Sequence, residues 1–337
     1  MNDPIGPMEL GDIFEKTFNL IGKTFVRNLI IALLFLAVPM ILMAIAADSF
    51  YSSLADLQES LRSIPKENSF DIIMLLLGAL TFFGIATLVL LLAVMFAQIA
   101  ISIVVNEELN SRSISFRDAI DETFRGKWLY GLGQALLQMG LFVGGVIIVG
   151  IVLAVLAAVS KALMGLVLIV LFIGIVPVVC YVALKWYFAL TAVAVDDMTA
   201  IESLKESWQF VSGYWWRTCG ILFLFSLITQ LVIMIVSLPI TFGSMWDVYK
   251  DYFTMLGKTG GNVDPAAIKN MESSFGPGVG LGTGINYLLT LLMTPVYTVV
   301  MYVDLRARNR AMNQPSPERI QLDSSSPSSS PMDFNQM

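Results

Sequence analysis

Apolar side chains run almost unbroken through six stretches of this chain: Asn28 to Ala47, Ile72 to Val105, Leu129 to Val159, Leu163 to Val195, Arg217 to Phe242 and Leu281 to Val303. Each matches or exceeds the roughly 20 residues that cross a hydrocarbon core of about 30 Å as a helix. The longer stretches are expected to tilt or to project into the headgroup region. Ile72 to Val105 contains no proline or polar turn near its middle, so it reads as one long helix and not two short ones. In a bilayer every backbone N–H and C=O must find its partner within the segment, and a helix does this alone. The pattern predicts an all-α integral membrane protein with six transmembrane helices.

Between the apolar stretches the chain switches to helical periodicity. Phe14-Glu15-Lys16-Thr17-Phe18, Ile120-Asp121-Glu122-Thr123-Phe124 and Leu204-Lys205-Glu206-Ser207-Trp208 each read apolar, charged, charged, hydroxyl, aromatic, just before an odd-numbered span. Leu10, Ile13, Phe14, Phe18 and Ile21 fall on one helical face of the first, and Ile201, Leu204, Trp208 and Val211 on one face of the third, with charges opposite. Ser115 to Asp118 and Thr199 to Glu202 have capping-box spacing, whereas the first segment follows Pro7 and lacks the box. An amphipathic helix beside a span belongs in the interface. The expected architecture is therefore three repeats of an interfacial amphipathic helix plus a transmembrane hairpin. The even spans also end alike, with Glu107, Asp196 and Asp304 soon after a last valine. Any helix leaving a membrane meets polar residues, so that likeness carries weight only if the three ends are spatially equivalent.

Charge fixes the orientation. Lys16, Lys23 and Arg27, then Arg112, Arg117, Arg125 and Lys127, then Lys205 and Arg217, then Arg306, Arg308, Arg310 and Arg319 all fall on one side of a six-span layout. The opposite loops, Asp48 to Asp71 and Gly243 to Gly280 among them, carry Arg62, Lys66, Lys161, Lys250, Lys258 and Lys269. The richer side is expected to be cytoplasmic, which makes this a multi-pass protein of the cell membrane with both N- and C-termini in the cytoplasm. The first 27 residues hold Asp3, Glu9, Asp12 and Glu15 with no small-residue cleavage site after the first apolar run, unlike a cleaved signal peptide. Three regions follow: an N-terminal cytoplasmic segment with an interfacial helix over 1–27, the six-helix membrane domain over 28–306, and a Ser/Pro-rich cytoplasmic tail over 307–337. The tail has too little apolar content to order itself. The outer loops have room for short surface helices but not for an enzyme domain.

Composition narrows the chemistry. Hydrophobic residues make up 56% and charged residues 14%, against roughly 45–50% and 25% in soluble domains. A net charge of −6 argues against a nucleic-acid partner. The chain has no histidine, and its two cysteines, Cys180 and Cys219, lie inside apolar runs. Histidine-dependent catalytic pairs and the usual zinc sites therefore cannot be built. Gly22-Lys23-Thr24 and Gly257-Lys258-Thr259 end like phosphate-binding loops, yet the required earlier glycine is Thr17 in one and Tyr252 in the other. The glycines from Gly276 to Gly284 lack dinucleotide spacing and read as a flexible entry to the last span. No cofactor, no metal and no catalytic residue is expected.

Within the spans, Gln98, Gln134, Gln138, Gln230 and Asn286 are suited to interhelical hydrogen bonds, and Pro39, Pro177, Pro239 and Pro295 to kinks. Gly140 and Gly144 form a GxxxG pair expected to allow close contact within the monomer. No Asp or Glu lies deep in any span, so ion coupling lacks its usual relay groups. Lys185 is the ionisable residue placed inside a span. It either snorkels to the headgroups beside Trp186 and Tyr187, or faces a cytoplasm-open cavity and meets a lipid phosphate or an acid such as Asp304. Arg217, Asp304, Arg306 and Arg308 gather at the cytoplasmic face by topology, with Asp304 and Arg308 spaced to pair along one helix. Arg217 and Arg306 form a candidate anionic-headgroup site, with simple positive-inside anchoring as the alternative.

The stretch Ala200-Ile201-Glu202-Ser203-Leu204-Lys205-Glu206-Ser207-Trp208, running on to Gly213-Tyr214-Trp215-Trp216-Arg217, together with Pro295 and Tyr302-Val303-Asp304-Leu305-Arg306-Ala307-Arg308, resembles the membrane domain of glycerophosphoryl diester phosphodiesterases and its stand-alone relatives. The resemblance covers most of Met8 to Arg308, with its distinctive words in the last third. It implies a six-helix membrane domain, sometimes fused to a soluble hydrolase barrel that uses histidines. A chain without histidine and without room for that barrel does not inherit the hydrolase activity. The expected function is a non-enzymatic integral membrane protein, a lipid-interacting or accessory scaffold module of the cell envelope. Its expected partners are membrane lipids and a membrane-protein partner or second copy of itself. The alternative is a transporter of a small solute or lipid with a central cavity.

Overall fold

The computed structural model describes residues 6–63, 69–159, 177–244 and 265–313, together with 174, 246, 250, 253 and 254. The described residues are helical and contain no strand. In chain order the helices are α1 (Leu10–Ser63), α2 (Ser69–Leu109), α3 (Phe116–Glu122), α4 (Trp128–Val159), α5 (177–186), α6 (Ala189–Asp196), α7 (Ala200–Ser212), α8 (Trp215–Ser244) and α9 (Pro265–Asn313). Five stretches among them are long and apolar enough to cross a membrane: Leu10–Leu54, Met74–Leu109, Pro177–Asp196, Trp215–Pro239 and Gly282–Met312. The predicted third span coincides with α4, 32 residues long, several of whose side chains lie outside the described residues. The start of the predicted fourth span, much of the loop from Gly243 to Gly280 and the tail from 314 onward also lie outside them.

Helix α1 packs along α2 and α9, α9 rests on α8 and α2, and the short α6 is wedged among α2, α7 and α9. The buried centre is built from Ile99, Val104, Phe188, Val300, Tyr302 and Leu305. Outward, Val38 is 72% exposed and Ile235 68%. Large aliphatics on the outside cost nothing when the solvent is hydrocarbon, so packing inside depends on close approach and polar contacts.

Several expectations change. The first amphipathic segment is not a separate helix, because α1 runs unbroken for 54 residues from Leu10. Its polar residues feed the helix itself: Thr24 Oγ1 donates to the Leu20 carbonyl at 2.8 Å, and Asn28 Nδ2 donates to Thr24 Oγ1 at 2.9 Å. The second and third segments do break before their spans. Gly126, at φ +144, sits in a π-helical turn over Thr123–Lys127, a backbone conformation glycine adopts without penalty. The chain turns again at Gly213 and Tyr214 before α8.

The glycine run before the last span is not a flexible entry but part of α9. A Cβ on Gly284 would sit 2.1 Å from Met40 Cε, so this glycine lets α9 and α1 touch. The GxxxG pair has no described neighbour. Nothing described lies within 4 Å of a Cβ built on Gly140 or Gly144. Close contact falls instead at Gly131, where a Cβ would stand 2.8 Å from Ile99 Cδ1, because α4 meets the described bundle near its start. Of the polar span residues, Gln138 bonds across helices, its Nε2 donating to the Trp186 carbonyl at 3.4 Å.

Candidate functional site

The three sequence-related segments present the same face. Residues 13–19, 119–125 and 203–209 follow one order of burial: buried, half-buried, exposed, half-buried, buried, exposed, exposed. The hydroxyl is at the buried centre each time. Thr17 Oγ1 donates to the Ile13 carbonyl at 2.6 Å and Thr123 Oγ1 to the Ala119 carbonyl at 2.8 Å, so both satisfy themselves within the helix. Ser207 works across helices: its hydroxyl donates to the Lys185 carbonyl at 2.7 Å and accepts from the Phe188 N–H at 3.2 Å. It thereby holds the break between α5 and α6. The expected apolar faces are split by this arrangement. Ile13 and Val211 are buried, while Leu10, Phe18, Ile201 and Trp208 turn outward, because the small hydroxyl takes the line of closest helix approach.

Both predicted capping boxes form. Asp118 N–H donates to Ser115 Oγ at 3.2 Å, and Glu202 accepts from the Thr199 N–H at 3.2 Å and hydroxyl at 2.8 Å. Those bonds, hydroxyl first, hold the Glu202 carboxyl below its usual range.

At the end of the bundle marked by Asn106, Asp196 and Asp304, charge is gathered into pairs. Asp304 is fully buried. It accepts from Arg217 Nη1 at 2.5 Å, from Arg308 Nε at 3.1 Å and from the Met8 N–H at 2.7 Å. The Met8 carbonyl closes the ring by accepting from Arg217 at 3.0 Å and Arg308 at 2.5 Å. The expected pair along α9 exists because the helix continues past the span to Asn313.

Arg306 stands apart from Arg217. Its Nη1 lies 2.5 Å from Asp196 Oδ1, and Tyr302 donates to the other Asp196 oxygen at 2.6 Å. The candidate pair Arg217 and Arg306 is therefore divided between two carboxylates, one on α9 and one on α6. Glu206 stands behind Tyr302, at 3.5 Å from its hydroxyl. Burial first, and Asp196 second, push the Glu206 carboxyl above its usual range, against Arg306 and Arg310.

Lys185 joins neither cluster and does not meet Asp304. It is 2% exposed, donates to Ser212 Oγ, and lies 5.2 Å from the Tyr181 ring centre and 5.1 Å from that of Trp208. Tyr181 is one helical turn before it on α5, and Trp208 belongs to α7. The charge is sheltered by aromatic faces in place of a carboxylate.

Two further basic residues repeat the theme. Arg27 pairs with Glu108 at 2.6 Å. Lys127 pairs with Glu122 at 2.7 Å and Asp197 at 2.9 Å, and donates to the Ala194 carbonyl at 2.7 Å. The ends of α2, α6 and α9 also border one cavity of about 310 Å³. Asn106, Asn110, Asp196, Arg306 and Arg310 supply its polar wall, with Val195 and Val303 beside them. The sequence had marked Asp196 and Asp304 as matching span ends but gave Asn106 and Asn110 no role, since asparagines at a helix end are common solvated residues. Among the described residues no group of three His, Cys, Asp or Glu is placed to hold a metal ion.

The model of a family described as a domain of unknown function (DUF7847) matches residues 124–305. No curated protein and no solved structure matches the chain.

Proposed function

This chain belongs to the family of the domain of unknown function DUF7847, which covers just over half of it, and from that premise we propose a non-enzymatic, multi-pass module of the cell membrane that acts on lipids or as an accessory scaffold. The observation that carries the reading is how side chains are sorted. Aliphatic residues such as Val38 and Ile235 face outward along the spans, while Arg27, Lys127, Arg217 and Arg306 are each bound to a carboxylate at one end. Trp216 is 81% exposed near that end, and Phe18, Phe124 and Trp208 are also exposed, as an aromatic belt at the headgroups requires. Helix α4, at 32 residues, is long enough to be the sixth span. Six crossings leave both termini on one side, and the excess of Lys and Arg makes that side the cytoplasm. The likeness to glycerophosphodiesterase membrane domains fits such a module and carries no hydrolase activity with it.

The spans are arranged as three units, each an amphipathic segment followed by a hairpin. The support is a recurring ion pair. Arg27 and Arg217 stand ten residues after Thr17 and Ser207, and each reaches a carboxylate at the end of the hairpin it opens, Glu108 and Asp304. Lys127, four residues after Thr123, reaches Asp197 at the end of the middle hairpin. The middle unit differs in register because the wide turn at Gly126 brings its cation in earlier.

Native mass spectrometry of the full-length protein, released from nanodiscs into mild detergent, tests the reading. Phospholipid is expected to remain bound, and returning lipid is expected to raise the melting temperature. A protein that sheds all lipid with no loss of stability would refute a lipid-directed role. Protein-dependent solute flux in proteoliposomes would replace the module by a transporter.

A further inference from the structure

We propose that the cavity bordered by α2, α6 and α9 binds one phosphate group, with Arg306 and Arg310 as its cationic wall and Asn106 as a neutral donor. The inference rests on the membrane-module reading above and names the ligand chemistry of its cytoplasmic end.

The donors are placed for this. Arg306 and Arg310 are one turn apart and share a face of α9, and both line the cavity. A guanidinium carries five N–H donors in a planar fork that matches a phosphate's oxygens. Arg306 commits Nη1 to Asp196, which fixes its position and leaves further donors. Arg310 is exposed and makes no ion pair with any described residue. On the opposite wall the Asn110 amide donates to the Asn106 backbone carbonyl at 2.9 Å, which anchors the pair. The Asn106 side-chain amide is then the donor this wall can offer.

Charge and size select the same class. Arg306 and Arg310 against Asp196 leave the lining one positive charge in excess. Glu206 also acts on both arginines from behind Tyr302 without lining the cavity, so within the cavity itself an anionic group is what balances the excess. The volume of about 310 Å³ exceeds what a halide or lone carboxylate fills and falls at the lower end of small-ligand pockets. Position agrees too, since the cavity lies at the end of the bundle where lipid phosphates and soluble phosphates are both at hand.

Two probes separate those sources. Inorganic phosphate is titrated against the full-length protein in neutral detergent by calorimetry. Lipid retention is compared by native mass spectrometry from nanodiscs of phosphatidylcholine alone and of phosphatidylcholine with phosphatidylglycerol. Arg310→Gln, an exposed substitution that breaks no described pair, is expected to weaken the responsive probe about tenfold, the effect of one charge-assisted hydrogen bond. Asn106→Leu is expected to weaken it less. Arg112→Gln removes an exposed charge that does not itself line the cavity and is expected to have less effect than Arg310→Gln. Phosphate binding in detergent sensitive to Arg310 supports a soluble ligand. Phosphatidylglycerol retention sensitive to Arg310, with no response to inorganic phosphate, supports a lipid headgroup. If Arg310→Gln and Asn106→Leu leave both probes as they are, or Arg112→Gln acts as strongly as Arg310→Gln, the site is refuted. Retained lipid insensitive to Arg310→Gln and Asn106→Leu, with no response to inorganic phosphate, would leave the membrane-module reading standing while the phosphate site falls.

Discussion

Arg217 reaches Asp304 across 87 residues of chain and sets Nη1 2.5 Å from a carboxylate with no exposed surface. The same carboxylate holds Arg308 and the backbone of Met8, so the N-terminal segment, the start of α8 and the end of α9 meet on one anion. An asparagine there keeps one neutral acceptor oxygen, for which two guanidiniums and a backbone N–H must compete. Asp304→Asn is expected to cost about 3–5 kcal/mol, the range for breaking a buried pair from one side. Arg217→Gln is expected to cost less, because its side chain is 27% exposed and water can take its place. Unfolding in mixed micelles measures both, and the double variant should lose less than the sum of the two. Wild-type stability in Asp304→Asn would mean the cluster does not hold the bundle together.

Ser207 predicts a smaller but sharper effect. Its hydroxyl satisfies the Phe188 N–H and the Lys185 carbonyl where the span breaks between α5 and α6. Ser207→Ala leaves both without that partner in a fully buried site. A loss of about 1–3 kcal/mol is expected. Thr17→Ala is the comparison, since Thr17 only bonds back to its own helix and should cost less. Equal losses in the two would remove the bridging role.

What the sequence disclosed divides along the same line as these residues. The five long apolar helices were legible because a bilayer demands long apolar runs, and the boxes at Ser115 and Thr199 because capping is set by residues three apart. Asp304 with Arg308 was legible for the same local reason. Arg306 with Asp196 was not, since it depends on how α6 folds back against α9. Met8 left no trace, because its backbone and not its side chain makes the contact. The glycines before the last span misled for a physical reason: the rule that makes glycine a loop former is a rule for water. In a tightly packed membrane helix the missing Cβ of Gly284 is used to approach Met40.

Gly126 is the one described glycine at positive φ, and nothing described lies within 4 Å of a Cβ added there. Gly126→Ala therefore tests backbone strain without a steric clash. A loss of about 1–3 kcal/mol is expected, the cost of a sparsely populated conformation. Gly140→Ala, with nothing described within 4 Å of the added Cβ and an ordinary φ, is expected to be neutral or mildly stabilising. Thermal unfolding of the two side by side decides it, and equal melting temperatures would exclude strain at the turn.

Glu206 gives a pH dependence with a definite sign. Burial makes the largest contribution in raising its pKa and Asp196 on α6 adds to it, while Arg306, the Tyr302 hydroxyl and Arg310 on α9 act in opposition. The native state therefore holds this proton to higher pH than the unfolded chain does. In the window just above the ordinary carboxylate range, this group's contribution to stability falls as pH rises. Glu206→Gln removes the titration, so the variant is expected to be the more stable partner near pH 7, with the gap closing toward pH 5. Melting curves at several pH values check this, and a gap independent of pH would count against it.

The contact between Met8 and Asp304 also constrains how the chain crosses the membrane. Gly11 and Ser52 both belong to α1, 41 residues apart, so they stand roughly 60 Å apart along it. That is about twice a hydrocarbon core, and the two ends should emerge on opposite sides. Met312 lies at the end of α9, next to Gly213, where a Cβ would come within 3.4 Å of its Cε. In a background with Cys180 and Cys219 replaced by Ser, an impermeant maleimide is expected to reach Gly11→Cys and Met312→Cys from the cytoplasmic side, and Ser52→Cys from the other. If Gly11→Cys and Met312→Cys were labelled from opposite sides, an odd number of crossings would follow. The pairing of Met8 with the end of the last span could not then exist in the membrane. Labelling from the same side requires an even number, as a sixth crossing by α4 beside the five helices long and apolar enough to span would give.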